Sequence, residues 1–278
     1  MARLLMIGAL ACLLAACGGA TGSSAPTVPV TASPAAVTSE PVATPGGQAT
    51  TQPIASQAAT CVARPSGLVA WWRAENDAKD ALGAHDGALQ AGAGFIDGKV
   101  GRAFSFDGAT QYVSVPSAAA LQRKTGITLE GWVYANGAPN GYAGIAGTWD
   151  DNTGSFRTYL FWVLNGTLEF IVSPDGGSYN RVDDVKPLPT GQWVHVAATY
   201  DGTTIRLYRD GAEVGSLAAA GGIAINDKPF LIGLTEGGSV GPNFWKGGID
   251  ELAIYDHALT GTDIVAIHAA GSAGKCGT

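Results

Sequence analysis

The amino-acid sequence predicts an all-β fold, a sandwich of antiparallel strands. Three observations carry this. The chain has 40 glycines among 278 residues and only 14% charged residues, a mixture suited to short strands joined by tight turns. Asn165-Gly166, Asp201-Gly202 and Asp210-Gly211 accept positive φ angles, and they separate runs rich in β-branched and aromatic residues. Within those runs the side chains alternate. Val194, Val196, Ala198 and Tyr200 share one face, while His195, Ala197 and Thr199 share the other.

The front of the chain is not part of that sandwich. Arg3 precedes an apolar run over residues 4–14 that is too short to span a bilayer stably. The run ends in Leu14-Ala15-Ala16-Cys17, small residues before a thiol. This pattern resembles the bacterial lipobox. The resemblance implies a signal peptide over residues 1–16, with lipid attached to Cys17 after cleavage. Several acyl chains give stable membrane anchoring where one is marginal. Gly18 follows the cysteine, and in the resembled class the absence of aspartate there points to the outer membrane or cell surface. Up to residue 60 the chain then has no aromatic residue and one charge, Glu40. Such a stretch cannot bury enough apolar surface to offset its ordering entropy. Residues 17–60 are therefore expected to form a tether about 35 Å in reach.

Residues 61–278 form the expected domain. Strands are predicted at 68–72, 103–106, 112–115, 127–135, 159–164, 167–172, 193–200, 203–209, 212–217, 230–234 and 244–255. One helix is predicted over 260–270, with Thr260 or Thr262 as its cap and Ile264 and Ile267 at helical spacing. No repeat of 20–50 residues argues for a solenoid or propeller. Cys12 leaves with the signal and Cys17 takes lipid. Cys61 and Cys276 remain at the two edges of the domain and are expected to pair in an exported protein. The net charge is −7, all of it in the domain because Arg3 and Glu40 cancel. A negative surface argues against nucleic acid as a partner.

Seven segments are similar to laminin-G-like domains of the concanavalin A-like lectin/glucanase superfamily. They are residues 67–72, 98–108, 112–116, 127–133, 192–202, 207–211 and 246–259, and they occur in family order across 65–271. The last reads Lys246-Gly-Gly-Ile-Asp-Glu-Leu-Ala-Ile-Tyr-Asp-His-Ala-Leu259. The resemblance implies a jelly roll of two antiparallel sheets. It also implies a calcium site with Asp80 and Asp250 as carboxylate ligands. The acidic loop around Gly83 adds Glu75 and Asp77 as further candidates, with a backbone carbonyl from His85. The alternative for that loop is a solvated acidic turn.

Catalytic patterns are thin. The superfamily's glucanases carry Glu-x-Asp-x-Glu on one strand, and this chain has no such triplet. Asp250 and Glu251 are adjacent, so regular alternation would point them to opposite faces. Gly237-Gly-Ser-Val-Gly241 matches G-x-S-x-G, but Pro242-Asn243 follows it where a helix is required. The four histidines show no metal-ligand spacing. The domain is therefore expected not to be an enzyme. The first reading is a membrane-anchored binding module for carbohydrate or a cell-surface protein. The alternatives are a polysaccharide lyase or hydrolase of the same fold, or a structural lipoprotein. Loops at 137–156, 173–184 and 235–245 hold the expected contact residues: Tyr142, Trp149, Asp150, Asn152, Tyr179, Asn180 and Trp245. Trp71, Trp72, Trp132, Trp162 and Trp193 are expected mostly in the core.

Overall fold

The computed structural model describes residues 60–151, 156–237 and 241–277. Cys17, the tether and Asn152 lie outside the described residues. In chain order the strands are β1 (Leu68–Trp72), β2 (Ala88–Gln90), β3 (Gly94–Asp97), β4 (Arg102–Asp107), β5 (Tyr112–Val115) and β6 (Ile127–Ala135). They continue as β7 (Tyr142–Asp150), β8 (Phe156–Leu164), β9 (Thr167–Val172), β10 (Asn180–Pro187), β11 (Trp193–Tyr200) and β12 (Thr204–Arg209). The last are β13 (Ala212–Ala218), β14 (Phe230–Ile232), β15 (Leu234–Glu236), β16 (Pro242–Phe244) and β17 (Lys246–Tyr255), before helix α1 (Gly261–Ala270).

Two sheets result. The first runs β13-β12-β11-β6-β17-β4-β3, with β1 also paired to β17. The second runs β10-β9-β8-β7-β14-β5-β2, and β15 with β16 extends it beside β7. The named strands pair antiparallel, except for one parallel pairing of Glu236 with Asp150. Alternation explains which side chains meet between the sheets. Val194, Val196 and Ala198 of β11 face Phe161, Val163, Leu168 and Phe170 of β8 and β9 within one core. Trp72 from the first sheet stacks on Phe230 from the second, with ring centroids 5.2 Å apart. Each such side chain contributes about 1.5–3 kcal/mol through burial.

The predicted hairpin at Asn165-Gly166 forms with φ of +50° and +83° at the two residues. The strand predicted over 230–234 breaks at Gly233, where φ is +80° and a Cβ would meet the Phe106 ring at 2.8 Å. The strand predicted over 244–255 is interrupted at Trp245. Two segments expected to be loops are strands instead: residues 142–150 form β7, and residues 180–184 belong to β10, which runs on to Pro187. Glycine at 144 and 147 hid β7 in the sequence. Both lie against neighbouring backbone, so a Cβ at Gly144 would sit 2.4 Å from Leu234 and Thr235. Their absence of side chains is what that close approach requires.

Helix α1 is closed by a capping box. The Thr260 hydroxyl accepts from Asp263 N at 3.2 Å, and the Asp263 carboxylate accepts from Thr260 N at 3.0 Å. Ile264 and Ile267 pack with Trp71, Tyr208, Ala253 and Tyr255 on the outer side of the first sheet. A disulfide joins Cys61 to Cys276, with Cα atoms 4.9 Å apart. Beside it Val62 and Lys275 form a parallel bridge.

Candidate functional site

The predicted metal ligands are not gathered. Asp80 is buried, and its carboxylate accepts four backbone N–H groups. Oδ1 takes those of Trp71 and Leu82 at 2.9 and 3.0 Å, and Oδ2 takes those of Ala84 and His85 at 3.2 and 3.1 Å. A carboxylate offers about four lone-pair sites, and these four donors use them within the loop. Asp77 accepts from Lys79 N, Glu75 from Arg102 N, and the His85 carbonyl from the Trp72 indole. Among the described residues no three carboxylates, histidines or cysteines come close enough to hold a metal ion. Asp80 is the organising acceptor of its loop.

Asp250 and Glu251 correct an expectation drawn from strand alternation. They do not point to opposite faces. A bulge in β17 places Glu251 at φ +56°, so Ile249 and Leu252 both enter the core while Asp250 and Glu251 stay outside it. Asp250 Oδ2 accepts from Val100 N at 2.9 Å, and no described group bonds Oδ1. Burial pushes the Asp250 carboxyl up to about 7. Glu251 lies 3.4 Å from Lys275 Nζ, which in turn bonds Glu130 at 2.9 Å. Neither Asp250 nor Glu251 is more than 1% exposed, so no polymer reaches this pair.

The contact residues predicted from the loops separate into two groups. Trp245 is fully buried, with its indole N–H donating to Gly248 O at 3.1 Å, and it belongs to the core. Asp150 is buried in an ion pair with Lys228 Nζ at 2.8 Å, which explains why its charge does not face solvent. Asn180 begins β10 opposite Val172 and does not line the cleft described next. Tyr142, Trp149 and Tyr179 do come together, and Trp162 joins them. The sequence reading placed Trp162 in the core. In β8, however, Tyr159, Phe161 and Val163 point inward, so Leu160 and Trp162 must point outward.

These four aromatics form a cleft of about 200 Å³ on the outer face of the second sheet. Tyr142 stacks on Trp162 with centroids 4.7 Å apart, and Trp149 meets Tyr179 edge-on at 5.9 Å. Tyr179 is 48% exposed, whereas Trp149 is 5% exposed and forms the floor with Leu160 and Ile171. The polar groups are held in place. Asp151 accepts from Arg157 Nε at 2.6 Å and from the Trp149 indole at 3.1 Å. Arg157 lies over Trp149 and Tyr179 at 5.6 and 5.5 Å from their centroids. The Trp162 indole donates to Glu169 at 2.8 Å. Burial raises the Glu169 carboxyl above its ordinary range, and Arg181 only partly opposes this. The turn before β10 is fixed by Asp175, which accepts from Gly177 N and Ser178 N at 2.8 and 2.7 Å. That fixed turn presents Tyr179.

A chamber of about 570 Å³ adjoins the cleft, and Tyr142 lines both. Asn136 and Asn140 come from the connection between β6 and β7, Asn243 and Phe244 from β16, and Lys246 from the start of β17.

The fold is that of a concanavalin A-like jelly roll. The chain belongs to the concanavalin A-like lectin/glucanases superfamily, whose laminin-G family matches residues 107–265, more than half of its length. Mouse pappalysin-1 is 30% identical over 179 residues, which is 59% of this chain and 11% of that protein. Domain 4 of AbnA, an extracellular arabinanase from Geobacillus stearothermophilus solved in complex with arabinotriose, has a similar fold. It is 22% identical with a TM-score of 0.58, covering 71% of this chain and 96% of that one. The binding domain of Paraclostridial Mosquitocidal Protein 1 is 18% identical with a TM-score of 0.59, covering 73% and 52%. The binding domain of botulinum neurotoxin DC, solved in complex with SialylT, is 12% identical with a TM-score of 0.53, covering 73% and 51%.

Proposed function

We propose that the domain is a non-catalytic module that binds carbohydrate in the aromatic cleft of its second sheet. The cleft itself carries this reading. Four aromatic side chains share one solvent-open site, and polar groups locked by hydrogen bonds surround them. Apolar ring faces with a few fixed polar groups suit a ligand with an apolar face and a hydroxylated rim. Sugar complexes of the similar AbnA and neurotoxin domains support the same reading. The absence of turnover is supported by the burial of Asp250 and Glu251, and by Glu169 being tied to Trp162. We also propose that the chain is exported and lipid-anchored through Cys17, at the outer membrane or cell surface, so that the module acts on the cell envelope.

A glycan array probed with the purified protein tests the first proposal. Retention on at least one neutral glycan is expected, lost in Trp162→Ala, with no shortened product. Retention unchanged in Trp162→Ala would move the site elsewhere, and product formation would make the domain an enzyme. Fractionation of Cys17→Ala tests the anchor: the variant should leave the membrane pellet or persist as uncleaved precursor.

A further inference from the structure

We propose that the ligand is a neutral oligosaccharide of about three or more units, running from the aromatic cleft past Tyr142 into the adjoining chamber, where Asn136 and Asn140 read one of its units. This rests on the carbohydrate reading above and specifies its ligand. Volume is the first argument. Ligand sites commonly span roughly 300–1,000 Å³. The cleft, at about 200 Å³, falls short of that range alone, whereas the chamber beside it offers about 570 Å³. Continuity is the second. Tyr142 is a wall of both spaces, and Phe244 continues the aromatic line on the chamber side.

Chemistry is the third argument. Each asparagine amide offers two donors and an acceptor, which matches the paired donor and acceptor character of vicinal hydroxyls. Asn136 and Asn140 are exposed at the chamber. Asn243 spends one donor on Gly241 O at 2.9 Å and keeps its carbonyl oxygen. Lys246 adds an amine, with no ion pair to a described residue, and its stem lies against Gly108. The ligand is neutral because the charged groups at the cleft already pair with each other, Asp151 with Arg157 and Glu169 with Arg181, so they offer no free cation to an anionic unit. A chain of carboxylates would find Lys246 alone for its several charges, against a net charge of −7 on the domain.

The test is titration calorimetry on the purified protein with three probe series, each from monomer to tetramer: arabinose, glucose with its cello-oligomers, and N-acetylglucosamine with its chito-oligomers. In at least one series the tetramer should bind about tenfold or more tighter than the monomer. Asn136→Ala/Asn140→Ala should erase most of that gain while leaving the monomer's affinity and the melting midpoint as in the wild type. Trp162→Ala should weaken every length. Lys246→Gln provides the same comparison if the double variant melts early. Equal affinity at all lengths overturns the inference and leaves the carbohydrate reading standing, as does a gain retained in the chamber variants. Tighter binding of tetragalacturonate than of any neutral tetramer overturns the neutral assignment. No binding of any probe by the wild type fells the carbohydrate reading for these classes, and this inference with it.

Discussion

Trp162 and Trp245 show how much depends on a single residue's direction. Trp162 lies within β8 and Trp245 between β16 and β17, and one indole is half-buried at the outer face while the other is enclosed. Trp245→Ala leaves a cavity and should cost about 3–5 kcal/mol in denaturant unfolding, with a matching fall in melting midpoint. Trp162→Ala removes a half-exposed ring and one hydrogen bond to Glu169. It should cost about 1–3 kcal/mol, less than Trp245→Ala, while abolishing glycan retention. The reverse pattern would exchange their assignments. Asp250 makes a different residue-level prediction. Burial holds its folded-state carboxyl near 7, far above its ordinary value of 3.8, so the folded protein binds a proton there that the unfolded chain has released. Its stabilising contribution is complete below pH 4 and is lost as pH rises through 7. Asp250→Asn keeps an acceptor for Val100 N and cannot ionise. Its stability relative to wild type should therefore rise between pH 4 and pH 8, by up to about 4 kcal/mol. A difference independent of pH would show that Asp250 does not titrate in this range.

Elements decide whether such residues can act together. The strip from β6 through β17 illustrates this beneath the C-terminal segment. Glu130 from β6 bonds Lys275 at 2.9 Å and His195 of β11 at 3.2 Å, while Glu251 lies 3.4 Å from the same lysine. Burial alone would push Glu130 up, but Lys275 and His195 outweigh it and hold the carboxyl below its usual range. Glu251 stays raised by burial, and Lys275 only partly offsets this. Lys275→Met should therefore cost about 3–5 kcal/mol near neutral pH, because two carboxylates lose their buried cation. The deficit should shrink toward pH 4, where protonation removes their charge, and urea unfolding at several pH values measures it. A deficit that stays constant or grows toward acid would mean that the lysine acts through packing alone. The sequence foretold much of this architecture. Period-two alternation and Asn-Gly or Asp-Gly turns marked β1, β5, β6, β9 and β11 to the residue. It hid β7, because glycines replace the inward and outward markers there. With β7 hidden, Tyr142 and Trp149 read as loop residues. Trp162 read as core because a tryptophan in a strand gives no sign of which face it takes. The bulge at Glu251 was equally silent, since non-glycine residues rarely adopt positive φ.

At the scale of the described domain, the two sheets close on one core and the domain's two edges are clipped together outside it. Cys61 and Cys276 are 215 residues apart in sequence, so their bond restrains nearly the whole domain when it unfolds. In the chain-entropy view a loop this long contributes about 5 kcal/mol, and measured values for native disulfides run to about 2–5. The bond also has a local role. Cys276 follows Lys275, and Cys276 N donates to Val62 O at 2.8 Å, so the disulfide and the bridge at Val62 together seat the lysine between its two glutamates. The aromatic cleft lies on the other sheet, beyond the shared core. Cys61→Ser/Cys276→Ser should therefore lower stability by about 2–5 kcal/mol, yet leave glycan retention intact at temperatures where the variant is folded. Combined with Lys275→Met, its cost should fall short of the sum of the separate costs, because both changes release the same segment. Strict additivity would mean that the disulfide acts only on the unfolded chain and does not seat Lys275. Loss of glycan retention in the folded double-serine variant would place the binding surface at the chain ends instead of on the outer face of the second sheet.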